Sequence, residues 1–215
     1  MPSSQRVALF VTCLVDQVLP EVGVAAVRLL RRAGYAVEFP AAQTCCGQPF
    51  FNSGFQAEAR RLARRMIEIF EPYEYVVAPS GSCVGMVRLE FPHLCADEPE
   101  WQARAARLAA KTYELSEFLV HVAHWRPESA QVDSQNTPGN GSSVTDYALR
   151  ITYHDSCHMN RLLHLKQEPR SLLAAAGHVI DEMPESERCC GFGGLFSLRM
   201  PEVSNAMTAD KLRQA

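Results

Sequence analysis

A chain of 215 residues that is 47% hydrophobic and 21% charged carries enough apolar material to fold, as one domain or two small ones. Its formal net charge of −3 lacks the basic surplus of a nucleic-acid binder. No apolar run approaches the length that crosses a bilayer, and the run near the start is too short for a secretory signal, so a cytoplasmic protein is expected.

VALFVTC (7–13) predicts a first strand that ends in cysteine. Val22, Ala26, Leu29 and Ala33 then recur at helical spacing, and Gly34 stands where such a helix stops. YAVEFP (35–40) predicts a second strand, followed by Cys45-Cys46-Gly47. Phe55, Ala59, Leu62, Met66 and Ile69 mark another helix, and YEYVVAPS (73–80) a third strand leading into Ser80-Gly81-Ser82-Cys83. Asp97-Glu98-Pro99 reads as a helix start, and Trp101, Ala105, Leu108, Leu115, Leu119 and Val122 predict one continuous helix to about residue 125. Residues 126–147, rich in Ser, Gln, Asn and Gly, predict a flexible linker or surface loop. ITYHDSC (151–157) then plays the part of the first strand, Pro169 and Gly177 bracket a helix, HVIDEMP (178–184) precedes Cys189-Cys190-Gly191, and Pro201 opens a last helix.

The eight cysteines organise this pattern. Adding 144 maps Cys13, Cys45 and Cys46 onto Cys157, Cys189 and Cys190, and a whole motif repeated at one offset indicates duplication. The expected architecture is α/β, with two duplicated Rossmann-like halves at 1–125 and 148–215 whose sheets are flanked by helices. The second half is expected to lack its last strand and loop in residues 1–215, because the counterpart of Cys83 would fall near position 227. That half is expected to expose a sheet edge and apolar surface, making residues 1–215 poorly soluble on their own.

In a reducing compartment these cysteines point to metal, cluster or redox chemistry rather than a disulfide framework. Thiolates suit zinc and iron–sulfur groups, usually four at a time, and the first half offers Cys13, Cys45, Cys46 and Cys83. Adjacent cysteines diverge, so they fit two irons of one cluster better than one tetrahedral zinc. Gly47 and Gly191 would let the backbone approach a cluster and donate amides to sulfur. Buried structural thiols are the plain alternative, and the one preferred for Cys95, outside the repeat. His154 and His158 flank Cys157 and offer a further ligand or a proton shuttle, or are ordinary hydrogen-bonded histidines, with Asp155 placed to orient either ring. A vicinal disulfide at the double cysteine would instead make a thiol–disulfide protein. Arg60, Arg61, Arg64 and Arg65 form a basic run on a helix, a solvated face or a patch for an acidic partner. CCGFGGLFS (189–197) lacks the residues of a phosphate loop.

FVTCLVD (10–16), CCGQPFFNSG (45–54), PSGSC (79–83), ADEPEW (96–101), YHDSCH (153–158) and CCGFGGLFS (189–197) resemble the motifs of the cysteine-rich CCG domain family. That domain occurs twice in the cysteine-rich subunit of heterodisulfide reductase and in the glycolate oxidase iron–sulfur subunit. The match is closer to the family's short lactate-utilisation branch. The resemblance implies an iron–sulfur electron-transfer subunit of a three-protein complex that oxidises L-lactate to pyruvate, rather than an enzyme on its own. The implied partners are a ferredoxin-type iron–sulfur protein and a small third subunit. It carries Cys13, Cys45, Cys46, Cys83, Cys157, Cys189 and Cys190 over as cofactor ligands, with a [4Fe–4S]-type cluster in the first half. Ser80 stands where the wider family starts a C-x-x-C pair, removing a fifth ligand, and the three cysteines of the second motif leave a second cluster short of ligands. A zinc-binding or metal-free assembly subunit, and a thiol–disulfide redox protein, remain as alternatives.

Overall fold

The computed structural model describes residues 5–127 and 148–215. The linker expected at 126–147 therefore lies, from 128 onward, outside the described residues.

The first half is built on a parallel sheet of four strands in the order β2-β1-β3-β4, namely β1 (Arg6–Leu9), β2 (Ala36–Glu38), β3 (Tyr75–Ala78) and β4 (Thr112–Glu114). Val7 lies opposite Val37 on one side and Tyr75 on the other, and Val76 opposite Thr112. Both faces are covered, which is why β1 reads as an unbroken apolar run. Val7, Leu9, Val11 and Val77 face one core, while Ala8, Phe10, Val76 and Ala78 face the other. The first of these takes Val15 of α1 (Cys13–Val18), Ala26 and Leu30 of α2 (Pro20–Arg32), and Phe118 and Leu119. A short α3 (Gln48–Asn52) follows the double cysteine. The opposite core is completed by α4 (Gln56–Phe70), α5 (Gly81–Gly85), α6 (Phe91–Leu94) and α7 (Pro99–Ala110). Between α5 and α6 the helix widens through a π turn, Met86–Glu90, just before Pro92, which has no N–H for the carbonyl four residues back.

One predicted element is corrected. The helix expected from Pro99 to about residue 125 breaks into α7, β4, α8 (Leu115–Glu117) and a π turn, Phe118–Val122. The apolar spacing is genuine, but Leu108 packs in one core and Leu119 in the other. The chain must cross the sheet edge between them, and it does so as β4, paired with β3. Glu114 starts the new helix with a capping box, its carboxylate accepting from the Ser116 and Glu117 amides.

The second half repeats the start of this plan. Its strands β5 (Arg150–Tyr153) and β6 (Val179–Glu182) pair in parallel, with Ile151 opposite Ile180. Around them run a π turn (His158–Leu162), α9 (Gln167–Ala175), α10 (Leu195–Arg199) and α11 (Pro201–Leu212). No residue of β5 or β6 is buried, and Phe192, Leu198 and Leu212 are 54%, 77% and 67% exposed. The halves meet where Met159, Leu162 and His158 pack on α5 and where Leu172 of α9 reaches the core shared by α1 and α2. His121 bridges to Glu168 across the same boundary at 2.8 Å.

Candidate functional site

In a parallel α/β sheet the strands all end on one side, and the crevice where the strand order reverses is the usual ligand site. Here β1 runs to β2 on one flank and is bordered by β3 on the other. Cys13 opens α1 just past β1, Cys45 and Cys46 follow β2, and Cys83 lies in the first turns of α5 after β3. The fold thus brings together four of the predicted residues. Thr12, in a strained conformation at φ 70°, turns the chain from β1 into the Cys13 helix.

The four thiols approach as adjoining pairs. Cys13 and Cys45 lie 3.5 Å apart at their sulfurs, and the Cys46 thiol engages both Cys45 and Cys83. Among the described residues, no three His, Cys, Asp or Glu side chains converge on a point suited to one metal ion. The Cys46 thiol draws Cys45 down to about 6, with help from the Gly47 amide and Cys13 and against the opposing pull of burial. Burial, with the neighbouring thiols, pushes Cys13 up to about 11. Cys83 is lowered by Cys46 first, against burial, and then by the Ser80 and Ser82 hydroxyls. Ser80, at the position where the wider family has a cysteine, places its hydroxyl 3.3 Å from that of Ser82, so two hydroxyls sit beside this thiol.

The second set is a partial copy. Cys157 engages Cys189, with Cys190 beside them, and burial raises Cys157. The Gly47 amide lies 3.4 Å from the Cys45 sulfur, and the Gly191 amide 3.4 Å from that of Cys189, so the amide-to-sulfur contact is duplicated with the motif. Both glycines hold positive φ, at 84° and 82°. A Cβ at Gly47 would rest 3.4 Å from Leu62, but at Gly191 it would press to 2.6 Å from the Ser204 carbonyl oxygen. We expect Gly47→Ala to cost about 1–2 kcal/mol from left-handed strain alone, and Gly191→Ala measurably more. Equal costs in urea unfolding of the two variants would refute this.

The two histidines beside Cys157 differ in their surroundings. His158 Nε2 lies 3.1 Å from the Gln48 amide, which also donates to the Ser82 carbonyl at 3.5 Å, so this pair ties the two cysteine loops together. His154 is held below its usual value by burial and by Lys211, and its Nδ1 has no hydrogen-bond partner among the described residues. Asp155 orients neither ring; it accepts two hydrogen bonds from Arg170, at 2.7 and 3.0 Å. Cys95 is fully buried. All eight cysteines are free. Three of the four arginines of the basic run are paired, Arg60 and Arg64 with Asp97 and Glu98 and Arg61 with Glu58, while Arg65 donates to the Ala42 carbonyl. Gln48, Met159 and Arg170 were not singled out from sequence.

As a donor set, the first-half residues fit an iron–sulfur group: four soft thiols, one already favouring thiolate, with amide and hydroxyl donors to sulfur. Their spread as two pairs suits a group of several metal atoms better than a single ion.

Residues 7–88 and 151–215 match the cysteine-rich domain family named CCG. The chain is also similar to curated relatives named lactate utilization protein A. With that of Halalkalibacterium halodurans it shares 46% identity over 209 residues, covering 97% of this chain and 79% of the relative. With that of Geobacillus kaustophilus it shares 46% over 208 residues, covering 96% and 80%. With that of Bacillus subtilis it shares 45% over 208 residues, covering 96% and 81%. The duplicated Cys-Cys-Gly loops, the thiols gathered at one end of a parallel sheet and these near-full-length matches agree, and the chain belongs to the CCG cysteine-rich domain family, within its lactate utilization protein A members.

Proposed function

We propose that this protein is the iron–sulfur electron-transfer subunit of a three-protein complex that oxidises L-lactate to pyruvate in the cytoplasm. Its partners would be a ferredoxin-type iron–sulfur protein and a small third subunit. Involvement in lactate utilisation follows the family. The observation that carries the finer reading is the gathering of four thiols, as adjoining neighbours, just past three strand ends of one sheet. No helix among the described residues is long and apolar enough to cross a membrane.

Cys13, Cys45, Cys46 and Cys83 would hold the cluster, and Cys157, Cys189 and Cys190 offer an incomplete second set. A bound iron–sulfur group supplies one-electron transfer at a potential set by sulfur hydrogen bonds, charge and solvent access. The chain's part is to tune and shield that site. The Gly47 amide and the Ser80 and Ser82 hydroxyls place positive partial charge at two sulfurs, and the buried Phe10 and Cys46 keep water from the inner side.

Purification of the full chain without oxygen, with iron, zinc and acid-labile sulfide counted per chain, tests this reading. About four irons with equal sulfide, and loss of both in Cys45→Ser, are expected. A colourless chain without iron, with or without zinc, would overturn it. One observation favours a second reading as a thiol–disulfide protein: Cys45, lowered to about 6, has Cys13 at 3.5 Å. In that case the Cys45 thiolate attacks a substrate disulfide and displaces one thiolate. Cys13 then resolves the mixed disulfide, releasing the second thiol and leaving a Cys13–Cys45 disulfide. Such activity would survive iron removal and be lost on alkylation.

A further inference from the structure

The loops that follow the two Cys-Cys-Gly motifs face each other across a cleft of about 300 Å³, within the size range of small-ligand sites. One wall is α3 with Ser53, and the other is the glycine loop leading into α10. The lining divides by chemistry. Gln48, Asn52 and Ser53 offer amide and hydroxyl groups on one side, Phe196 and Met200 give an apolar patch, and Arg199 supplies the cleft's charge.

Arg199 stands apart from its basic neighbours. Arg188 is held by Glu185 and Asp210, and Arg213 by Asp210, whereas among the described residues Arg199 has no carboxylate partner. The amides of Gly193 and Gly194 donate to no backbone carbonyl among the described residues. Gln48 is fixed in place through its nitrogen, between the Ser82 carbonyl and His158, which turns its oxygen free to accept from a hydroxyl. A planar cation with a fork of donors, hydroxyl-accepting amides close by and a small apolar wall match a short organic acid with a polar group next to its carboxylate.

We propose that this cleft binds a small 2-hydroxy- or 2-oxocarboxylic acid, its carboxylate on Arg199, its hydroxyl or carbonyl oxygen on the Gln48 and Asn52 side, and its short alkyl group against Phe196 and Met200. The assignment deepens the lactate reading above and rests on it for the choice of acid. It puts the organic acid beside both cysteine sets, because Gln48 directly follows Gly47 and the opposite wall begins two residues after Gly191.

The test is calorimetric titration of L-lactate into the full chain purified without oxygen, at low ionic strength, for the wild type and for Arg199→Gln, Arg199→Lys and Arg188→Gln. Saturable binding is expected. Arg199→Gln should weaken it at least tenfold, Arg199→Lys less, and Arg188→Gln hardly at all, with acetate and chloride competing poorly. Undiminished binding in Arg199→Gln, equal competition by acetate or chloride, or no saturation at tens of millimolar would each overturn the assignment. Iron counted in the same samples separates the two claims. Binding without iron keeps the site and sinks the electron-carrier reading, and iron without binding does the reverse.

Discussion

Replacing Arg170 with leucine should cost about 3–5 kcal/mol of stability, the range for stranding one partner of a buried ion pair. The Asp155 and Arg170 side chains are only 2% and 11% exposed, so solvent screens this pair little. From α9 the guanidinium reaches Asp155 past the end of β5 and Glu182 at the end of β6, and lies over the Tyr153 ring at 4.7 Å. It therefore clamps the two strand ends just before the loops that carry Cys157 and Cys189. Burial alone would raise Asp155, but Arg170 and Ser186 outweigh it and the carboxyl sits below its usual range. A carboxyl lowered in the folded state adds stability that is full above its unfolded value of ~4 and is lost as pH falls through the lower native value. Resistance to urea should accordingly fall below about pH 4 in the wild type, and part of that acid slope should vanish in Asp155→Asn. A loss under about 1 kcal/mol in Arg170→Leu would show the clamp to be decorative.

The duplication makes that clamp more instructive. Subtracting 144 places Val11 at the position of Asp155 and Ala26 at that of Arg170, and both are buried in the apolar core that α1 and α2 close in the first half. One backbone plan is thus closed by hydrocarbon in one copy and by charge in the other. The double change Asp155→Val with Arg170→Leu should recover most of the loss of the single variant, since an apolar pair of similar volume often replaces a buried ion pair at no net cost.

This contrast marks what could be read from the chain alone. The period of the cysteines, the cap glycines and the apolar runs are local signals, and they located β1, β2, β3, β5 and β6 and the loops that carry the thiols. What stayed hidden depends on partners distant in sequence. The spacing of Leu108, Leu115 and Leu119 is the same for one helix facing one core and for two segments facing two cores, and only the pairing of Thr112 with Val76 decides between them. Ser80 could be seen to replace a cysteine, but the pairing of its hydroxyl with Ser82 beside Cys83 depends on the turn into α5. Asp155 beside His154 and His158 invited a sequence neighbour as its partner, and the partner is fifteen residues away.

Gly81 is the sharpest case of a distant cause, and substitution there should be the second costly change. A Cβ at this position would overlap the Met159 side chain and stand 3.3 Å from its backbone nitrogen, so the clash cannot be relieved by turning a flexible chain end. Gly81 is buried, in the first turn of α5 two residues before Cys83, and Met159 lies two residues after Cys157. The glycine thus lets the two cysteine-bearing segments press together, and its conformational freedom is incidental. We expect Gly81→Val to destabilise the chain by about 3 kcal/mol, at the upper end for overpacking a filled contact, and Gly81→Ala by less. If steric conflict with Met159 is the cause, Met159→Ala should cost less in the Gly81→Ala background than in the wild type, with a coupling of about 1 kcal/mol or more. Additive costs would place the cause in the α5 backbone. With strong coupling, the proposed cluster reading adds an expectation: iron content of the same variants should fall in step with stability, because Gly81 lies two residues before Cys83.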